Sequence, residues 1–247
     1  MSPHSSMYTI IIAGVIVVLV GGAVDVLLTR QRIHTGVALA QSTKAFQREL
    51  VGAKVNILII GDSTVVGVGA RVPEESLAGQ VAASFPLVSI TNLGVNGAKA
   101  KELILRLEAV AARQFDLIMI HIGGNDIVRF TKLGELTASI ASVLQLATSK
   151  AKHVTLTTSG NVGTALLLPW GTRWLFERRT RNVRTIFIEA AQKYRVQYID
   201  LFREHSKDPF YKNPHYYYAV DLFHPSSAGY ADWYAIMQPV LSKFGGK

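Results

Sequence analysis

Val55-Asn56-Ile57-Leu58-Ile59-Ile60-Gly61-Asp62-Ser63 is the stretch on which the fold turns. From Val55 to Ile60 it is almost wholly aliphatic, the pattern of a strand buried on both faces. Gly61 permits a tight turn directly after it. A helix starting there would offer its first N–H groups to an anion, with Ser63 presented on the turn. A helix N-cap accounts for Asp and Ser at such a place equally well, so this stretch alone leaves both readings open.

Outward from it, short apolar runs alternate with amphipathic stretches. Strands are expected at Leu87–Thr91, Phe115–Ile122, His153–Thr158 and Val196–Asp200. Helices are expected at Glu75–Phe85, Ala98–Arg113, Leu133–Ser149, Arg173–Tyr194 and Ser226–Phe244. Strands separated by helical patterns imply an α/β fold, a parallel sheet with helices on both faces. Ligands of such sheets sit at the carboxyl ends of the strands, so functional residues belong just after them.

The chain has 247 residues, no cysteine and a formal net charge of +9. Without cysteine there is no disulfide, thiolate metal site or cysteine nucleophile. The positive balance suits an anionic partner. No zinc-finger, recognition-helix or RNA-binding-strand signature is present, so a nucleic acid is not expected. No metal-ligand spacing or phosphate-binding glycine loop is found either, and no cofactor is expected.

Tyr8–Leu28 is apolar except for Asp25. About 20 helical residues cross the ~30 Å hydrocarbon core, so this segment is expected to be a retained transmembrane anchor. A cleaved signal peptide fits less well, since residues 1–7 hold no Lys or Arg. Arg30, Arg32, Lys44 and Arg48 all follow the span, which by the positive-inside rule places the following domain in the cytoplasm. The expected division is 1–28 for tail and anchor, 29–52 for a polar, partly helical connector, and 53–247 for one globular domain.

Three further loops follow the pattern of Gly61-Asp62-Ser63. Asn92-Leu93-Gly94-Val95-Asn96-Gly97 comes after the second strand, an ordinary turn or a loop aiming a backbone N–H. Gly123-Gly124-Asn125-Asp126 comes after the third, where a side-chain amide can stabilise developing negative charge. Asp221-Leu222-Phe223-His224-Pro225 precedes the last helix. Serine needs a base and the imidazole needs an acceptor, and Asp-x-x-His supplies both. The G-x-S-x-G nucleophile elbow is absent.

Together these four loops resemble the SGNH (GDSL) hydrolase family, from about Lys54 to the C-terminus. The resemblance implies a flavodoxin-like three-layer sandwich and a serine ester hydrolase. It makes Ser63 the nucleophile, His224 the base and Asp221 its orienting partner. The oxyanion hole would be the Ser63 N–H, the Gly97 N–H and the Asn125 side chain, with Gly61, Asp62, Gly124 and Asp126 in support. Thr64 departs from the family, which often has Leu there. The fourth family block is not recognisable, and Ser159-Gly160-Asn161-Val162-Gly163 occupies its place. The sequence does not name the ester: acetyl groups on glycans, lysophospholipids and thioesters all stay open, a lipid or an acylated glycan among them. An acyltransferase using the same residues, or a catalytically silent tethered binding protein, are the alternatives.

Other features take plainer readings. Leu166–Trp170 reads as core, or else as a stretch that borders an acyl pocket or touches lipid. Arg173, Arg178, Arg179, Arg181 and Arg184 read as a solvated face able to meet anionic headgroups. Tyr216–Tyr218 could wall a pocket. His121, inside a strand, reads as core.

Overall fold

The structure, a computed structural model, describes residues 3–111, 115–169 and 171–244, with side chains from Val18 onward. A long helix α1 (Pro3–Ser42) precedes a five-stranded sheet: β1 (Val55–Gly61), β2 (Val88–Gly94), β3 (Phe115–His121), β4 (Ala151–Thr157) and β5 (Gln197–Ile199). Short helices α2 (Ser63–Val66), α3 (Leu77–Ser84), α4 (Leu103–Glu108) and α5 (Gly124–Val128) lie between the first strands. They are followed by α6 (Leu133–Lys150), α7 (Arg173–Tyr194), α8 (Pro209–Lys212), α9 (Pro214–Tyr217) and α10 (Ser227–Leu241).

Every pair of neighbouring strands is parallel, and the order is β2-β1-β3-β4-β5. Doubly wound sheets of the flavodoxin type share this order, and their ligands lie between β1 and β3, where the winding reverses. The aliphatic run Ile57–Ile60 is fully buried, as are Leu117, Ile118 and Ile120 beside it. Helices α4, α6 and α7 pack among themselves, and α3 packs on α10. Each group buries its apolar stripe (Leu136, Ile140, Val143 and Leu144 on α6; Val183 and Phe187 on α7). The expected strands and the longer helices are present. The expected Ala98–Arg113 helix is instead a 3-10 turn (Ala100–Glu102), whose first residue donates its N–H to Asp126, followed by α4. Arg113 lies outside the described residues.

The N-terminal expectation is corrected. Among the described residues no helix is long and apolar enough to cross a membrane. Residues 8–17 of the expected span lie outside those whose side chains are described. The single-pass placement, and with it the cytoplasmic orientation, is overturned. Nor does the helix stop at Leu28: nothing between Thr29 and Ser42 breaks it, with one glycine and no proline. Its last turns join the rest of the protein. Thr29 Oγ1 donates to Leu167 O at 3.4 Å, the Arg32 guanidinium to Leu166 O, and Asn96 Nδ2 to the terminal-turn carbonyl of Ala40 at 2.8 Å.

Candidate active site

Ser63 is the first residue of α2, and the helix is capped by Asp62. Asp62 Oδ1 accepts from Thr64 N at 3.0 Å and from Thr64 Oγ1 at 2.7 Å. The capping role that a serine here could have filled is thus taken by its neighbour, which leaves the Ser63 hydroxyl free to turn away from the helix. Thr64, the residue that departs from the family pattern, supplies two of the bonds that hold Asp62. Burial raises the Asp62 pKa, an effect opposed by those two bonds.

The turn into Ser63 depends on close packing at Gly61. A Cβ on Gly61 would stand 1.8 Å from His121 O and 2.7 Å from Val65 Cγ2. Asn92 then ties α2 to β2: its Nδ2 donates to Val65 O at 2.8 Å while its Oδ1 accepts from Gly94 N at 2.9 Å.

His224 reaches Ser63 from the loop before α10. Its Nε2 lies 2.9 Å from Ser63 Oγ, and its Nδ1 lies 2.5 Å from Asp221 Oδ2. Asp221 is 1% exposed, and its other oxygen accepts from the backbone N–H groups of Phe223 and His224, each at 3.1 Å. The loop closes on itself through Ala219 N to His224 O at 2.8 Å and through Leu222, whose φ is +57°. Ser63 and the Asp221/His224 pair, predicted from two segments far apart in the sequence, form one hydrogen-bonded chain.

Gly97 and Asn125 line the same groove as Ser63, His224 and Asp221. Gly97 has φ +76°, a left-handed conformation that glycine adopts at no cost. Gly123 likewise has φ +115°, and it starts α5 so that Asn125 sits in the first turn after β3. Asp126 connects the two loops: its Oδ2 accepts from Ala100 N at 2.9 Å. Burial raises its pKa, and that bond opposes the rise. Ser63 after β1 and Asn125 after β3 therefore flank the place where the winding reverses.

The groove, about 440 Å³, runs along α1 and is walled by Ile33, Gly36 and Val37 on that side. A narrower cavity of about 50 Å³ opens on the other side of Ser63, between Asn161, Phe210, Tyr218 and Trp233. Ser159–Gly163, in the place of the fourth family block, lines this cavity from Ser159 to Val162. There Asn161 caps a turn, accepting from Gly163 N at 3.1 Å. Tyr218 lies 2.6 Å from Thr164 Oγ1, so one of the three consecutive tyrosines does wall a pocket.

His121 is core, as expected. It stacks on Trp233 with ring centroids 5.3 Å apart, and burial lowers its pKa to about 4. Leu168 is also core, whereas Leu167 borders the groove; Trp170 lies outside the described residues. The α7 arginines are largely engaged within the protein: Arg181 pairs with Glu177 and Glu204, Arg184 with Asp200, and Arg179 donates to Thr131 O.

Residues 59–231 match the model of the GDSL-like lipase/acylhydrolase family, which spans all four loops. The chain belongs to that family. This GDSL chain is 25% identical over 192 residues to a GDSL-like esterase of Mycobacterium tuberculosis, which covers 74% of it; it spans 60% of that relative's length. It is also similar in fold to a lipolytic G-D-S-L family protein from Veillonella parvula, with TM-score 0.62 and 18% identity, over 76% of this chain and 98% of the other. A catalytic mutant of an acetylxylan esterase from Geobacillus stearothermophilus aligns with TM-score 0.56 and 20% identity, over 80% and 96%. At these identities the two structures speak for the fold.

Two features of this GDSL site escaped the sequence reading. One is the α1 wall. Its signals were there: a glycine inside a helix, and the spacing of Ile33, Val37 and Ala40, which places them on one face. The other is the aromatic cavity, whose parts Phe210, Tyr218 and Trp233 come from three separate segments that no local pattern links.

Proposed function

We propose that this chain is a serine ester hydrolase working through an acyl-enzyme on Ser63. The observation that carries the reading is His224, held between Ser63 Oγ at 2.9 Å and Asp221 Oδ2 at 2.5 Å. With its Nδ1–H donating a hydrogen bond to the buried Asp221 carboxylate, His224 keeps the Nε2 lone pair for the serine proton. Ser63 Oγ then attacks the ester carbonyl carbon while His224 takes that proton.

The carbonyl oxygen becomes an oxyanion. The Ser63 N–H, which has no partner within its own helix, the Gly97 N–H and the Asn125 amide are the donors assigned to it. Collapse of the intermediate breaks the bond to the alcohol oxygen, which leaves with the proton from His224. Water, deprotonated by the same imidazole, attacks the acyl-enzyme and releases the carboxylic acid, returning Ser63 to its hydroxyl form.

Purified protein is expected to hydrolyse short p-nitrophenyl esters and to be labelled by a fluorophosphonate. Ser63→Ala is expected to lose both. Wild-type turnover by Ser63→Ala would refute the assignment.

A further inference from the structure

We propose that the second half of α1 is part of the substrate site, with Ile33, Val37 and Ala40 forming a wall that holds an aliphatic chain of the ester. This rests on the Ser63 reading above.

Three observations support it. First, α1 is fixed over the groove rather than lying loosely across it. Arg32 donates to Leu166 O near one end of the contact, and Ala40 O accepts from Asn96 at the other, 2.8 Å away. Between them Gly36 rests on Asp221, where a Cβ would stand 2.9 Å from Oδ2. Second, Ile33 and Val37 are 48% and 50% exposed although the helix face that carries them points at the protein. Apolar side chains on such a face are normally covered by the core they pack on. Here they face an open groove of about 440 Å³, so their apolar surface stays available to something that enters it. Third, the same groove is lined by Ser63, Asn125 and His224, and Leu167 and Phe223 continue its apolar lining. A chain lying along Ile33 and Val37 would therefore be continuous with a carbonyl held at Ser63.

The test is a chain-length profile. Two ester series separate the two places where the chain can hang: p-nitrophenyl esters from acetate to octanoate vary the acyl side, and alkyl acetates from ethyl to octyl vary the alcohol side. In Ile33→Ser/Val37→Ser, the preference for the eight-carbon over the two-carbon member is expected to fall about tenfold in one series, mainly through KM. Ala40→Leu, which fills the groove and keeps it apolar, is expected to shift the optimum to shorter chains. It also keeps the test decisive if the double variant fails to fold. Profiles that superimpose on wild type in both series would overturn the proposal. Ser63→Ala, assayed in parallel, judges the catalytic assignment separately: if it is inert while the profiles do not move, only the α1 proposal falls.

Discussion

Gly36 of α1 lies against the carboxylate of Asp221, so close that a methyl group built on its α-carbon would stand 2.9 Å from Asp221 Oδ2. That oxygen is the one that faces His224. The helix backbone and the imidazole thus lie against the same carboxylate, which makes Gly36 the place to test whether α1 helps to orient His224.

Gly36→Ala separates this contact from ordinary helix energetics. Alanine in a helix interior is normally better than glycine by about 0.5–1 kcal/mol. Here its methyl group must displace either the helix or Asp221. We expect kcat/KM for a short ester to fall at least about tenfold with the circular dichroism spectrum retained. A variant with wild-type kcat/KM and a raised Tm would show that α1 does not bear on Asp221.

Asn125→Ala removes the side-chain donor assigned to the oxyanion and leaves Ser63 and His224 in place. Loss of one such donor lowers kcat by about 100- to 1000-fold. The fall is expected in kcat, with KM for a short ester nearly constant, because the bond matters most once charge has developed. A change confined to KM would assign Asn125 to ground-state binding instead.

Asp208, beside the aromatic cavity, has its pKa raised from 3.8 to about 6, chiefly by burial, against the pull of the Phe210 N–H bond. Its folded pKa lies above its unfolded one, so between these values the folded state holds a proton that the unfolded chain has lost. Stability therefore falls as pH rises from about 4 to about 6 and levels off above. An asparagine side chain at this position cannot ionise and keeps an oxygen for the Phe210 N–H. Relative to wild type, Asp208→Asn is expected to gain up to about 3 kcal/mol between pH 4 and pH 7, from about two pKa units. Urea unfolding at four pH values measures it, and a constant difference would count against the shift.

Gly61→Ala tests the turn that presents Ser63. The added Cβ would meet backbone at 1.8 Å, and neighbouring strands cannot yield as a flexible side chain would. We expect a loss of about 3 kcal/mol or more in urea unfolding, an extreme value for a single methyl group. Near-wild-type stability would mean that β1 and β3 separate at their ends more easily than the register implies.

The sheet was legible from Val55–Ile60 and Phe115–Ile122 because strands buried on both faces leave continuous aliphatic runs. Three of the loops were legible because parallel sheets put their ligands just after strands, which picks out Ser63 and Asn125; the fourth, before the last helix, was legible because Asp221 and His224 stand three residues apart. The N-terminal segment misled because its composition from Tyr8 to Leu28 is that of a membrane span, and composition alone does not give the helix its partner. The residues that meet the groove, Ile33 and Val37, lie beyond that span and reveal their partner only once the fold brings it near. Gly36 reads from sequence as a weak helix residue. Its use appears only opposite Asp221, 185 positions away.

Arg48 follows α1 and pairs with the outer strand of the sheet. Its backbone exchanges two hydrogen bonds with Ile90, at 3.0 and 2.7 Å, while its guanidinium group donates to the carbonyls of Ala82, Phe85 and Val88. β2 is an edge strand, and an uncovered edge of this kind is a template on which other chains can stack. A shortened protein starting at Lys54 would bare that edge. Such a chain is expected to self-associate through β2 more readily than the full chain, even while its sheet remains intact.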